Sequence, residues 1–364
     1  MQPLRPKDWF VALRQMPGIG YQTLLYLLPH ILELPPDVVS LRSVLPAIPT
    51  ISPHRMRTIL TLEAPQVYQV KQSLSERQID TITIFDEDYP PLLREIDDPP
   101  LILYAKGSRQ ALSGPTLAIV GARRPSNYGR QVAFHLGSDL ANIGFTIVSG
   151  LARGIDAEAH KGALHRGGKT IAVLGCGVDV IYPSQNKALY HAITKNGLIL
   201  SEYLPDRQPH PRLFPLRNRM ISGLSLGITV VEAALSSGSL NTAKHASEQN
   251  RDVFAVPGPI SSPVSQGANN LIRDGAIPLT KVDDVLLQYE HLALPLGAQE
   301  ISVDEQLTRN EKKILEMIEN TQATVDQIVR CTSLGVQEVT QSLLNLQLQG
   351  KIRQLPGCMY GKVR

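Results

Sequence analysis

Cysteine is scarce in this 364-residue chain. Cys176, Cys331 and Cys358 are far apart, odd in number and without metal-ligand spacing. That excludes a disulfide scaffold and suits a reducing compartment. Long apolar runs are missing too. The most apolar stretch, 221–235, is interrupted by Glu232 and is too short to cross a bilayer. The N-terminus, Met-Gln-Pro-Leu-Arg-Pro-Lys-Asp-Trp, has charges and prolines where a secretory signal would be apolar. We therefore expect a cytoplasmic protein without a membrane partner. Excess charge of one sign is absent, the net being +3. Catalytic and metal motifs are absent as well: there is no His-Glu-x-x-His and no Gly-x-Ser-x-Gly. His160 and His165 are five apart, which puts them on different sides of a helix. We expect no catalytic residues, no metal and no cofactor.

What is present is an ordinary globular composition, 43% hydrophobic and 19% charged. The length suits two to three domains of roughly 150 residues. The near-neutral total conceals local contrast. Residues 117–220 hold 13 basic and 6 acidic side chains, and 80–100 hold 7 acidic and 1 basic. A basic centre beside an acidic flank directs the search for an anionic ligand to the centre.

Three unlike regions follow one another. Residues 1–75 read as short helices broken by proline, at 8–16, 20–28, 38–45, 53–60 and 67–73. Pro17-Gly18-Ile19-Gly20 between the first two resembles a helix-hairpin-helix (SAM-like) turn, which offers amides to a phosphate; a plain tight turn is the other reading. Residues 80–288 alternate strand and helix. Strands are expected at 82–85, 101–104, 116–120, 146–148, 170–174, 198–202, 226–231 and 252–255. Helices are expected at 129–142, 156–166, 186–195, 217–223 and 242–250. Short, continuously apolar strands between helices predict an α/β fold, a parallel sheet covered on both faces with ligands at its carboxyl ends. Residues 289–305 read as a linker. In 306–364, three helices marked by Ile314, Leu315 and Ile318, by Val325, Ile328 and Val329, and by Val336, Val339, Leu343 and Leu346 precede a Pro-Gly hairpin. That is winged-helix order.

The strand ends of the middle region are punctuated alike. After 117–120 comes Gly121-Ala122-Arg123-Arg124-Pro125-Ser126, and after 146–148 comes Ser149-Gly150-Leu151-Ala152-Arg153-Gly154-Ile155-Asp156, each leading into a helix. Gly121 and Gly150 would let a ligand approach the backbone. The helix starts would supply amides, and Arg123, Arg124 and Arg153 charge. Neither segment is a dinucleotide fingerprint or a P-loop, so a phosphate-bearing ligand is expected but not a nucleotide cofactor. In Phe214-Pro215-Leu216-Arg217-Asn218-Arg219 the arginines are expected at a helix start, where their charge opposes the dipole unless an anion meets it. Phe214 reads as core, with a stacking platform for a base as the alternative. Ser236-Ser237-Gly238-Ser239 and Thr242 read as an N-cap loop with phosphate donors. Gln266-Gly267-Ala268-Asn269-Asn270 reads as a further polar loop before a helix. Acids near these segments are few, namely Asp156, Asp179, Glu202 and Glu232.

Ala118-Ile-Val-Gly-Ala-Arg-Arg-Pro-Ser, Ser149-Gly-Leu-Ala-Arg-Gly-Ile-Asp, Phe214-Pro-Leu-Arg-Asn-Arg, Ser237-Gly-Ser-Leu-Asn-Thr-Ala and Gln266-Gly-Ala-Asn-Asn-Leu-Ile occur in this order. Together they resemble the DprA/Smf family, the DNA-processing protein A of bacteria. The resemblance implies an extended Rossmann-like domain flanked by an N-terminal helical domain and a C-terminal winged helix. It also implies sequence-tolerant binding and protection of single-stranded DNA. Further implications are RecA loading in natural transformation and recombination, single-strand-binding protein as a further partner, a homodimer paired through the Rossmann-like domain, and no enzymatic activity. By motif it assigns phosphate contact to Arg123, the border of a base pocket to Phe214, and pocket shaping to Arg217 and Arg219. The loop Ser237-Gly238-Ser239 would donate amides and hydroxyls. Arg124, Arg153, Gly154, Asn218, Thr242, Gly267 and Asn269 complete the expected DNA-binding set. Ala122 replaces a common serine and Asn241 an aliphatic residue.

The enzyme alternative is a nucleotide phosphoribohydrolase of the lysine-decarboxylase-like type. That type needs Pro-Gly-Gly-x-Gly-Thr and a nearby glutamate, whereas this chain has Ser236-Ser-Gly-Ser-Leu-Asn-Thr, with Glu248 too far along. In the winged region the third helix carries Glu338 and no lysine or arginine, so nothing on it attracts phosphates.

Overall fold

The computed structural model describes residues 4–33, 45, 48, 50–290, 292, 309–318, 323–332, 334–348, 352–355 and 359–362. The chain divides into two compact units, Met1–Leu296 and Gly297–Arg364.

The first unit opens with α1 (Pro6–Gln15), α2 (Tyr21–Glu33), α3 (Pro53–Leu60) and α4 (Ala64–Glu76). The expected helix at 38–45 lies, apart from Leu45, outside the described residues, as does most of the 289–305 linker. Between α1 and α2 the chain turns at Gly18, whose φ of +77° suits glycine. The amide of Ile19 is satisfied by Met16.

A nine-stranded sheet follows. It contains β1 (Asp80–Thr83), then, after the short α5 (Pro91–Arg94), β2 (Ile102–Gly107) and β3 (Thr116–Val120). Next come α6 (Asn127–Asn142), β4 (Thr146–Ser149), α7 (Ile155–His165), β5 (Thr170–Val173), α8 (Lys187–Asn196) and β6 (Leu198–Ser201). The unit continues with α9 (Leu213–Gly223), β7 (Gly227–Val230), α10 (Gly238–Glu248), β8 (Asp252–Ala255), α11 (Gln266–Arg273), β9 (Ile277–Pro278) and α12 (Asp283–Gln288). The order is β1-β2-β6-β5-β4-β3-β7-β8-β9.

From β6 to β9 all neighbours are parallel, but β2 is antiparallel to both β1 and β6. The expected parallel sheet is thus present from β6 to β9, with an antiparallel addition at this side. A parallel β1–β2 pair needs a crossover packed across the sheet. Here the link between them carries only the four-residue α5, and the chain returns antiparallel.

Both sheet faces are buried, which is why the strands read as continuous apolar runs. Ala118, Val120, Val148, Ile171 and Ile228 point to one face, against Met220 and Ile221 of α9 and Ala243 of α10. Leu117, Ile119 and Ile147 point to the other, against Ala133 and Leu140 of α6 and Ala159 of α7. The N-terminal helices build on the same framework: Trp9, Phe10 and Leu13 share one buried cluster with Ile102, Tyr104 and Ile199.

The second unit, taken by itself, has α13 (Arg309–Ile318), β10 (Ala323–Thr324), α14 (Val325–Thr332), α15 (Val336–Leu348), β11 (Ile352–Leu355) and β12 (Met359–Lys362). Ile314, Ile318, Ile328, Val339, Leu343, Leu346 and Ile352 form its core. Val336, one of the residues that mark the third helix, stands exposed at the start of α15. The sequence pattern also missed β10, whose two residues pair with Met359 and Tyr360 of β12.

Candidate functional site

The sheet reverses its winding between β3 and β7, and the carboxyl ends of β3, β4 and β5 open beside that switch point. There the loops after β3 and β4 interlock. A β-carbon at Gly154, whose φ is +80°, would strike the Ala122 carbonyl, so only glycine lets the two loops close on each other. Ser126 caps α6 by accepting from the Gly129 amide at 3.1 Å. Its own amide and hydroxyl donate to Glu232 at 2.8 and 2.6 Å, tying β7 to the start of α6. In the second loop Leu151 adopts φ +55°. Asp156 holds that bend by accepting from the Gly150 and Ala152 amides at 3.1 and 3.3 Å. Asn186 secures it by donating to the Leu151 and Ala152 carbonyls at 2.9 and 3.2 Å. Burial pushes the Asp156 carboxyl above its usual range, opposed by Arg217 and by those amides.

Arg217 sits beneath the loops. It is 5% exposed, donates from Nη1 to the Gly150 carbonyl at 2.9 Å and to the Val173 carbonyl, and from Nε to Asn218 at 3.2 Å. It therefore bolts the ends of β4 and β5 together. This corrects the reading of Gly150: a β-carbon there would lie 2.5 Å from the Arg217 guanidinium, so the space it leaves is filled by protein. Gly121 is likewise filled, with Ile155 and the Glu232 carbonyl 2.7 and 2.9 Å from such a β-carbon.

The expected helix start is corrected too. Helix α9 begins at Leu213, so Arg217 and Arg219 stand in its second turn. Arg219 faces elsewhere. It grips Glu202 through both terminal nitrogens at 2.9 and 2.7 Å and Asp98 through Nε at 2.7 Å. Burial works against its charge, but those two carboxylates more than reverse this and raise its pKa.

The mouth above Arg217 is lined by Arg123, Gly150, Arg153, Gly175, Cys176, Tyr182, Pro183 and Phe214, among others, around a cavity of about 30 Å³. Phe214 is half-buried: its ring meets the backbone of Gly175, stacks on Tyr182 at 5.4 Å and 24°, and carries the Arg123 guanidinium at 5.7 Å. Arg123, Arg124 and Arg153 are exposed, and none has a carboxylate partner among the described residues.

All four acids that the sequence placed near the site are engaged structurally. Asp156 and Glu232 hold backbone, Asp179 pairs with Arg77, and Glu202 pairs with Arg219. Burial pushes the Cys176 thiol up to about 11, away from nucleophilic character. Glu248, the glutamate weighed for hydrolysis, lines a separate cavity with Asp98 and Arg219.

The remaining expected residues support the rim. The Ser237 hydroxyl lies 2.7 Å from that of Ser239, and Asn218 donates to the Gly238 carbonyl at 3.3 Å. Thr242, expected at the start of a helix, is buried within α10, which starts four residues earlier at Gly238. The Gly267 amide donates to Ala233, and Asn269 exchanges two hydrogen bonds with Gly258. Both Gly267 and Asn269 thus fasten α11 to the strand-end loops. Tyr182, Pro183, Gly175 and Asn186 were missed. Gly175, two residues past the end of β5, was the available signal.

Residues 80–290 match the family model of DNA recombination-mediator protein A, and residues 300–358 match the DprA winged helix domain. The chain belongs to the DprA/Smf family. Relatives of this family include Protein Smf of Synechocystis, 37% identical over 80% of this chain and 82% of that protein. The DNA processing protein DprA of Streptococcus pneumoniae is 44% identical over 62% of this chain and 79% of its own length. The X-ray structure of the pneumococcal DprA matches with a TM-score of 0.62 at 35% identity, covering 79% of this chain and 99% of that one. DNA processing protein A of Helicobacter pylori, whose structure is described as revealing its single-stranded DNA binding mode, matches with a TM-score of 0.53 at 34% identity. That match covers 59% of this chain and 96% of that one. Among the described residues of this DprA/Smf chain, no helix is long and apolar enough to cross a membrane.

Proposed function

We propose that this chain binds single-stranded DNA without sequence preference at the carboxyl ends of β3, β4 and β5. In this reading it protects the strand and promotes RecA loading on it during DNA uptake and recombination, in the cytoplasm. It acts as a homodimer paired through the Rossmann-like unit, and not as an enzyme. The observation that carries the reading is the mouth itself: two exposed arginines, Arg123 and Arg153, without carboxylate partners among the described residues, line it together with a stacked aromatic pair. Among the described residues that line it there is no carboxylate and no histidine. Such a surface suits phosphates and bases and supplies nothing to cleave them. The Helicobacter relative supports the choice of ligand.

Fluorescence anisotropy with labelled oligonucleotides tests it. Single strands of unrelated sequence should bind alike, more tightly than duplex, with affinity falling steeply as salt rises. Arg123→Ala should weaken all of them about equally and reduce the salt slope by about one. Equal affinity for duplex, or release of free base from nucleoside monophosphates, would overturn the reading.

A further inference from the structure

Arg77 closes α4, the last of the N-terminal helices, and its guanidinium reaches two loops of the sheet at once. Nη1 donates to Asp206 at 2.8 Å, and Nη2 donates to both Asp206 and Asp179. Asp179 lies in the loop after β5 and Asp206 in the loop after β6. The two loops also hold each other. The Asp206 amide donates to Asp179 Oδ1 at 3.0 Å, and the Gly177 amide donates to the Arg207 carbonyl at 2.8 Å. Lys106 of β2 fixes the root of this junction by donating to the Arg77 carbonyl at 3.0 Å.

Both loops run on to the mouth. The first reaches Tyr182 three residues after Asp179, and the second reaches Phe214 eight residues after Asp206. Those two rings stack on each other, while Arg77 is not among the residues lining the mouth. We propose that Arg77 is a positioning residue of the site: an ionic clamp through which the N-terminal helices set the two loops that carry Tyr182 and Phe214. This rests on the single-strand reading above and adds that a side chain outside the mouth governs its affinity.

The two arms of the clamp are unequal. The Asp206 side chain is 76% exposed, so its pairing is screened by water and contributes little. The Asp179 side chain is 13% exposed, and among the described residues no other cation pairs with it. Removing Arg77 strands that carboxylate beside a second one, which costs more than the pair itself contributes. The loops relieve the cost by swinging apart into water.

Trypsin reads the clamp without any DNA. Arg207 is exposed, and its carbonyl is the one held by Gly177. Arg77→Ala should speed cleavage after Arg207 roughly five- to thirty-fold, because cleavage follows the population of the opened loop. Cleavage after the exposed Arg166, at the opposite end of the sheet, should not change. Anisotropy with labelled oligo(dT), on the full chain, reads the consequence. Arg77→Ala should weaken binding by a similar factor, yet keep the slope of log affinity against log salt within about half a unit, since its charge is spent on carboxylates. Arg77→Ala combined with Asp179→Asn, which removes the stranded charge, should recover part of both losses. Asp206→Asn, at an exposed position, carries the test should Arg77→Ala misfold, with both effects about two- to three-fold.

Wild-type cleavage and affinity in Arg77→Ala, or a double variant no better than Arg77→Ala alone, overturns the proposal. So does a salt slope reduced by about one, which would make Arg77 a phosphate contact. If wild-type protein binds no oligonucleotide, the single-strand reading falls by itself, and the cleavage rates still decide whether Arg77 holds the loops.

Discussion

Arg217 and Arg219 lie two residues apart on one helix, so about 200° of rotation separates them and they meet opposite surroundings. Arg217 spans two strand-end carbonyls beneath the mouth, and Arg219 is neutralised by Glu202 and Asp98. Lysine lacks the planar fork that reaches both carbonyls. Arg217→Lys should therefore cost about 1–3 kcal/mol in urea unfolding and weaken oligonucleotide binding by loosening the loop that carries Arg153. His160 provides a pH test. It is fully buried, its Nδ1 lies 2.6 Å from the Thr170 hydroxyl, its Nε2 has no hydrogen-bond partner among the described residues, and burial pushes its pKa down to about 3. An unfolded chain takes up this proton below about 6.5 whereas the folded one refuses it until about 3. The unfolded state thus binds more protons in that window. The stabilisation is complete above the window and is lost as pH falls through it. Between pH 7 and pH 5 the wild-type protein should lose about 2 kcal/mol more than His160→Gln, read from urea midpoints at both pH values.

At the scale of elements, the loops of the site lead into two closely packed helices. A β-carbon at Gly137 of α6 would strike the Ala159 carbonyl of α7, and one at Gly162 of α7 would strike the Phe134 carbonyl of α6. Gly137→Ala or Gly162→Ala should each cost about 1–3 kcal/mol. Oligonucleotide affinity should fall with it, because separating α6 from α7 parts the loops that begin them. Equal stability of the alanine variants in a thermal melt would refute this. These helices were legible as patterns in the sequence, since apolar periodicity reports which face of an element is buried. Their glycines were not assigned a packing role, because nothing local distinguishes a glycine needed for a turn from one needed for close approach. The direction of β2 was illegible for a similar reason: its apolar run suits either orientation, and only pairing with β6 settles it.

For the whole molecule, the two units divide the chain at Leu296 and Gly297. The third helix of the winged unit carries no lysine or arginine. Removing 297–364 should therefore leave the slope of log affinity against log salt for oligo(dT) unchanged within about one unit. A larger drop in a salt titration would show that the winged unit supplies phosphate contacts of its own. The N-terminal helices are a different matter. Trp9, Phe10 and Leu13 share their core with Ile102 and Ile199, so they cover the sheet edge where β2 turns antiparallel.

The sequence by itself determined the order of the main elements, most strand positions within two residues, the winged-helix plan and the family. These depend on apolar periodicity and on short runs of glycine and arginine, which are properties of neighbours along the chain. The tertiary structure decided which arginines remain free. Arg123, Arg124 and Arg153 stand exposed, while Arg217 and Arg219 satisfy partners 67 and 17 residues away at Gly150 and Glu202. It also brought Tyr182 onto Phe214, 5.4 Å away across two strand ends. Whether a charge or a ring is available to a ligand depends on what the fold sets beside it, and those neighbours are distant in the chain.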